Sequence, residues 1–352
     1  MFRAYIVLIV IISSLFFQPE CRALEGTEAS ANTTKIDEES PSYDKIVPVI
    51  GWERYSGDSA RSVKGWVRWW KYLRLKKPIT MKWIDDLILR IHPGSEVFRS
   101  LFVRGIYDPN LVVVIDSLLP QGGVFLDIGA NMGYVSLLAS RKVGEKGKVF
   151  ALEPSSRDFR RLVDNVNING LGNIIFPHRL AASDKNTKMK LLIASEERNF
   201  LNTSGSEISF KGVEKVGTEE VAALPLDAFV ENEKIKRIDV IKLDIEGSEL
   251  YALKGAKNTI ERYHPAIILG VNHRALKICE TDCSELQKSI DEMKYHIYRI
   301  AEKPIFALEK IANIADVRSG VIICLHESVV PPVLPQPKKR SVSEDISDFF
   351  LR

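Results

Sequence analysis

The chain has 352 residues, 45% of them hydrophobic and 27% charged, with 49 Lys and Arg against 46 Asp and Glu. This is ordinary globular composition, with room for one sizeable α/β domain plus additions. A formal net charge of +3 gives no support to a nucleic-acid partner.

Arg3 precedes an apolar stretch from Ala4 to Phe17, broken by Ser13 and Ser14. The stretch is short for a bilayer span but suits a signal-peptide core, and Cys21-Arg22-Ala23 is an acceptable cleavage site. Residues 1–23 therefore read as a cleaved signal or an uncleaved signal anchor. Positive charge lies before the apolar run and Glu20, Glu25 and Glu28 after it, so both versions carry the body across a membrane. The expected location is the secretory pathway or the extracytoplasmic space. Residues 24–59 are polar and read as a flexible stem. Asn32-Thr-Thr and Asn202-Thr-Ser are glycosylation acceptor patterns, meaningful if the host is eukaryotic and the chain lumenal.

Residues 60–120 are expected to form a helical extension or lid. Arg61, Lys64, Arg68 and Lys71 recur at helical spacing beside a stripe of Val63, Trp66, Trp70 and Leu73. Over residues 61–77 such a helix either lies on an anionic membrane surface or packs its tryptophans on the folded body. Trp83 to Leu89 looks helical, and Pro93-Gly94 ends it.

The body, residues 121–325, alternates strand and helix. Val124-Phe-Leu-Asp127 is an apolar run ending in a carboxylate, followed by Ile-Gly129-Ala130-Asn131-Met-Gly133. That is a buried parallel strand feeding a tight turn and a helix. About twenty residues past Gly133, a second apolar strand ends in Glu153, where a βαβ nucleotide fold holds a ribose. The turn has no glycine at the helix-packing position of a dinucleotide fingerprint, so it fits an adenosine ligand without a pyrophosphate. Further strands are expected at Ile174–Leu180, Asp239–Asp244 and Ala266–Val271, with helices such as Gly133–Arg141 and Ser155–Asn169 between strands. Lys188–Ala194 and Thr218–Ala223 read as added strands framing a polar insert, Ser195–Gly217, and Tyr295–Ile300 and Gly320–Cys324 as two final antiparallel strands. Residues 326–352, rich in proline and ending in charge, read as a disordered tail.

Five segments in order, LDIGANMGYVSLLAS, ALEPSSRDFRRLVDNVNING, LAASDK, LPLDAFV and IKLDIEGSELYALKGA, resemble the FkbM-type family of S-adenosylmethionine-dependent methyltransferases. The likeness runs from about Phe98 to Val271, and its most specific piece is Lys242-Leu-Asp244-Ile-Glu246-Gly247-Ser-Glu249. It implies a Rossmann-like class I methyltransferase fold, with a mostly parallel seven-stranded sheet and helices on both faces. It further implies that Gly129, Ala130, Asn131 and Gly133 line the methionine part of S-adenosylmethionine, that Glu153 binds the ribose hydroxyls, and that Ser183 and Asp184 lie near the adenine. Asp127 would orient the turn or the methionine ammonium. Leu101–Pro109 would cover the cofactor. The implied reaction is O-methylation of a hydroxyl on a glycan or secreted small molecule.

A neutral hydroxyl is a poor nucleophile, so a carboxylate, a histidine or a metal near the acceptor is useful. Asp244 is the first choice, Glu246 the second and His273 the alternative base. The family often has Glu after its fifth strand where this chain has Gly270, which puts that role on Asn272 or His273 or leaves it empty. An inactive membrane-tethered binding protein on the same scaffold is the non-enzyme alternative. A nicotinamide-dependent short-chain dehydrogenase is a weaker one, because Tyr72 and Lys76 have the required spacing but precede the glycine turn. Cys279, Cys283 and Cys324 are free, or the first two are bridged; three cysteines without tight histidine spacing leave no zinc site to expect.

Overall fold

Strands β4 (Val124–Ile128), β5 (Lys148–Leu152), β11 (Val240–Leu243) and β12 (Ala266–Val271) are apolar on both faces and buried almost throughout. Such strands need cover on both sides, which is why they lie in the middle of a parallel sheet. In the computed structural model they run parallel with β6 (Ile175–His178) in the order β6-β5-β4-β11-β12. Beyond β12 the sheet continues antiparallel through β15 (Gly320–His326), β13 (Tyr295–Ile300) and β14 (Leu308–Ile311). The structure describes residues 46–48, 77–93, 96–104, 106–194, 199–202, 215–301, 307–317 and 320–334, all within the unit Tyr43–Arg352. The readings of Met1–Phe17, Asn32, residues 61–76 with Tyr72 and Lys76, and most of the polar insert lie outside them. No helix among the described residues is long and apolar enough to cross a membrane.

The two faces of the sheet carry separate cores. Phe125 and Val149 point into one, with α2 (Pro109–Leu118), α3 (Tyr134–Val143) and α4 (Ser156–Ile168). Leu126, Ile128 and Leu243 point into the other, with α5 (Leu226–Asn232), α6 (Glu249–Lys254), α7 (Lys257–Tyr263), α8 (His273–Ile278) and α9 (Cys283–Glu292). This is the class I methyltransferase arrangement, with eight strands in the described sheet where seven were expected. The added strand, β14, is half-exposed and carries Glu309 and Lys310, so it has no apolar run to announce it. Strand order reverses between β4 and β11, which places the crevice for ligands at their carboxyl ends.

Three further differences bear on the site. Trp83–Leu89 is not a helix: Ile84–Asp86 is a 3-10 turn joining β2 (Ile79–Lys82) to antiparallel β3 (Ile88–Ile91). The alternating burial of Ile88-Leu-Arg-Ile91 has the period of a strand, and α4 satisfies its outer edge. Asn165 and Asn169, one turn apart, accept from the Arg90 and Ile88 amides at 2.7 Å each and donate back to the same two carbonyls. The expected strand Ile174–Leu180 is shorter, ending at His178 in β6, and a separate strand β7 (Ala181–Ala182) follows and joins a second sheet. There β10 (Lys215–Leu224) pairs with β7 and with β8 (Thr187–Ala194), and β9 (Asn199–Asn202) flanks β8. Finally, ordered chain continues past His326, and Leu334 is buried with the first core.

Candidate active site

The turn after β4 is set by close approach. Gly129 has φ +81, and a Cβ there would stand 2.2 Å from the Asp244 carbonyl oxygen, so only glycine lets the β4 and β11 loops touch. The Gly129 and Ala130 amides both donate to the Leu152 carbonyl at 2.9 and 3.0 Å, which ties the turn to the end of β5. Asn131 is left-handed at φ 52, its amide donates to Glu153 Oε2 at 2.8 Å, and its own Oδ1 accepts from the Met132 amide. Gly133 then opens α3 with no side-chain cap on the helix.

Beneath this turn lies a buried ion pair. Asp127 and Lys242 are register partners on β4 and β11, and Lys242 Nζ stands 3.1 Å from Asp127 Oδ1. Ser136 donates to the other Asp127 oxygen at 2.6 Å, and Lys242 also donates to the Gly129 carbonyl at 3.0 Å. Burial pulls the lysine pKa down but is outweighed by Asp127, Asp244 and Glu153, so Lys242 is held above its ordinary value. The Asp127 carboxylate, expected to orient the turn or the methionine ammonium, is fully buried between Ser136 and Lys242. Sequence reasoning missed Lys242 as a site residue. Its signal was a single charge inside the otherwise apolar strand Val-Ile-Lys-Leu.

Glu153, at the end of β5, is buried and accepts from Asn131 through Oε2 and from the Ser155 amide through Oε1 at 2.9 Å. Burial first, and then the Asp158 charge, push its carboxyl up to about 8, against the pull of those two amides and of Lys242. Ser183 and Asp184 follow β7. The Ser183 amide donates to the Leu224 carbonyl, and its hydroxyl reaches Asp184 Oδ1 at 3.3 Å.

Across the crevice, the turn after β11 carries Asp244, which is exposed, and Glu246, left-handed at φ 51. A Cβ on Gly270 would come within 2.6 Å of Asp244 Oδ1. The missing side chain of β12 is thus the space in which the Asp244 carboxylate lies. Asn272, capping α8, donates to Glu246 Oε2 at 3.2 Å. His273 faces elsewhere: Nε2 donates to the Val317 carbonyl, which leaves Nδ1 to accept from the Cys283 thiol at 3.3 Å. The structure therefore brings Asp244, Glu246 and Asn272 together and leaves His273 with both nitrogens engaged. Cys279, Cys283 and Cys324 form no disulfide among the described residues.

The mouth is bordered by a segment whose residues sequence reasoning named only as a cover. Asp108 caps α2 by accepting from the Asn110 and Leu111 amides, and burial, with the nearby Asp244 charge, raises its carboxyl above the usual range. The Tyr107 amide donates to the Tyr134 hydroxyl, and the two rings meet edge to face at 6.3 Å. Tyr134 in turn packs on Trp83, so this cover is seated on the first residue of α3.

Residues 127–300 match the family described as the methyltransferase FkbM domain. The hexuronic acid methyltransferase AglP of Haloferax volcanii is 29% identical over 177 residues, 49% of this chain and 66% of that protein. The AMB antimetabolite synthetase AmbE of Pseudomonas aeruginosa is 25% identical over 215 residues, 53% of this chain and 10% of that protein. The chain thus spans less than two thirds of the length of either relative. A crystal structure of a methyltransferase FkbM from Methylobacillus flagellatus superimposes with a TM-score of 0.38 at 15% identity, covering 76% of this chain and 60% of that one. Residues 127–300, which hold the glycine turn, Glu153 and the Asp244 turn, are thus an FkbM-type methyltransferase domain.

Proposed function

We propose that the chain is an S-adenosylmethionine-dependent O-methyltransferase whose acceptor is a hydroxyl on a glycan or other small molecule. The observation that carries this reading is the exposed Asp244 carboxylate, seated in the space left by Gly270, on a residue whose backbone carbonyl closes against Gly129 of the glycine turn. The AglP relative makes a sugar bearing a carboxylate the first acceptor to test.

The residues present fit the cofactor. Gly129, Ala130, Asn131 and Gly133 present backbone at the uncapped start of α3, Glu153 presents a carboxyl at the end of β5, and Ser183 and Asp184, which follow β7, would lie near the adenine. When bound, S-adenosylmethionine supplies a methyl group already activated by its sulfonium. The work left to the protein is to align the acceptor oxygen and to manage its proton. Asp244 accepts or orients that proton, and Glu246, held by Asn272, fixes a second hydroxyl of the acceptor. The tyrosine and aspartate of the 107–108 segment close the mouth. The secretory placement expected from Met1–Phe17 belongs to the same proposal.

Calorimetric titration of the full chain with S-adenosylmethionine, and separately with NADH, tests the cofactor. Binding of the first alone is expected; binding of NADH alone, or of neither, overturns the reading. A screen of hexuronic acid glycosides and neutral sugars, followed by S-adenosylhomocysteine formation, then tests the acceptor.

A further inference from the structure

The turn that carries Asp244 and Glu246 is held from inside by a group that the proposed chemistry does not use. Glu249, the first residue of α6, is 2% exposed, and its Oε1 accepts from the Ile245 amide at 3.0 Å and from the Gly247 amide at 3.2 Å. Its other oxygen, Oε2, is buried and has no hydrogen-bond partner among the described residues. From outside, the same turn is gripped through three contacts. Asn272 donates to Glu246 Oε2, the Thr281 hydroxyl donates to the Gly247 carbonyl at 3.2 Å, and Cys279 donates to the Glu246 carbonyl at 3.5 Å.

We propose that Glu249 is the positioning residue of the acceptor turn, tying Ile245 and Gly247 into one loop and thereby fixing where the Asp244 and Glu246 carboxylates lie. The inference rests on the reading of that turn as the acceptor side of the site. A bare carboxylate in this place would leave one buried oxygen uncompensated, whereas the neutral acid leaves a weaker defect. The groups facing it add to this: Asp244 and Glu246 on its own loop carry like charge, Cys279 from the end of α8 offers no cation, and α9 turns the apolar Leu286 and Ile290 toward this core. Burial is the largest influence on its carboxyl, which is pushed up to about 7 against the pull of the amides. Ionisation strengthens both amide bonds, because a charged acceptor holds an N–H more tightly than a neutral one. The acceptor turn therefore tightens as pH rises through neutrality and slackens below it.

The test needs neither methyl donor nor acceptor. In the full chain, amide resonances of Ile245 and Gly247 are followed by TROSY NMR from pH 5.5 to 8.5, together with the Asn272 side-chain amide that reports on Glu246. The expected result is one shared midpoint near neutrality at all three, abolished in Glu249→Gln. In Asp244→Asn the midpoint moves down, since a neighbouring negative charge has been removed. Flat titrations, or a midpoint that survives in Glu249→Gln, overturn the proposal; so does a shift at Ile245 and Gly247 that leaves Asn272 unmoved. Titration of the same samples with S-adenosylhomocysteine reports separately on the methyltransferase reading, which can fail while the turn still titrates.

Discussion

Two carboxylates end strands on either side of β4, and their surroundings suit them to opposite work. Asp244 is exposed and free to meet an acceptor, whereas Glu153 is buried on two amides. Asp244→Asn is expected to leave S-adenosylmethionine affinity within about twofold while lowering turnover on a cognate acceptor by roughly 10²–10⁴, the usual range for a lost general base. Full turnover in that variant would remove Asp244 from the chemistry. Glu153 in the free protein holds its proton up to about 8, and ribose hydroxyls donate best to the ionised form. Cofactor binding at pH 7 should therefore release a proton, and affinity should rise between pH 6 and 8. Calorimetry in buffers of different ionisation enthalpy measures this directly; no proton release would take Glu153 off the ribose. Both residues were legible in the sequence because each closes an apolar run. The state of Glu153 was not legible, since it depends on Ser155 and Asp158 folding back over it.

At the scale of elements, β4 and β11 are joined by more than their backbone ladder. The Asp127–Lys242 pair is buried, and removing one partner leaves a charge with nothing to face. Lys242→Met should cost about 3–5 kcal/mol in denaturant unfolding, and adding Asp127→Leu should recover part of that loss. Equal losses in the single and double variants would show that the two charges are not coupled. On the neighbouring strand, Gly270→Ala should preserve the fold and cofactor binding but displace the Asp244 carboxylate, lowering kcat far more than it alters the affinity for S-adenosylmethionine. The central strands could be read almost to the residue because they are continuous apolar runs. β2 and β3 could not, because their pairing depends on Asn165 and Asn169 of a helix some 75 to 81 residues further on. Nor could the joining of β7 to a second sheet, since two alanines carry no periodicity.

For the whole molecule, two buried carboxyls and the half-buried His92 make stability depend on pH. Glu153 and Glu249 bind protons more tightly folded than unfolded, rising from 4.5 to about 8 and about 7. Their contribution is therefore complete below pH 4.5 and is lost as pH rises toward 8. His92, pulled from 6.5 to about 4 by burial and by Arg161 and Arg90, acts in the other direction, so its contribution is lost as pH falls from 6.5 to 4. The two trends oppose one another below 6.5 and only the carboxyl trend remains above it. Urea midpoints should decline between pH 6.5 and 8, with a shallower decline in Glu249→Gln; an unchanged slope would mean that Glu249 ionises normally. Among the described residues the open sheet also has two unpaired edges, and each is guarded. Pro177 in β6 lacks an amide to offer a foreign strand, and β14 presents Glu309 and Lys310. The molecule should thus resist stacking edge to edge when crowded, and a valine in place of Pro177 should be enough to start it aggregating.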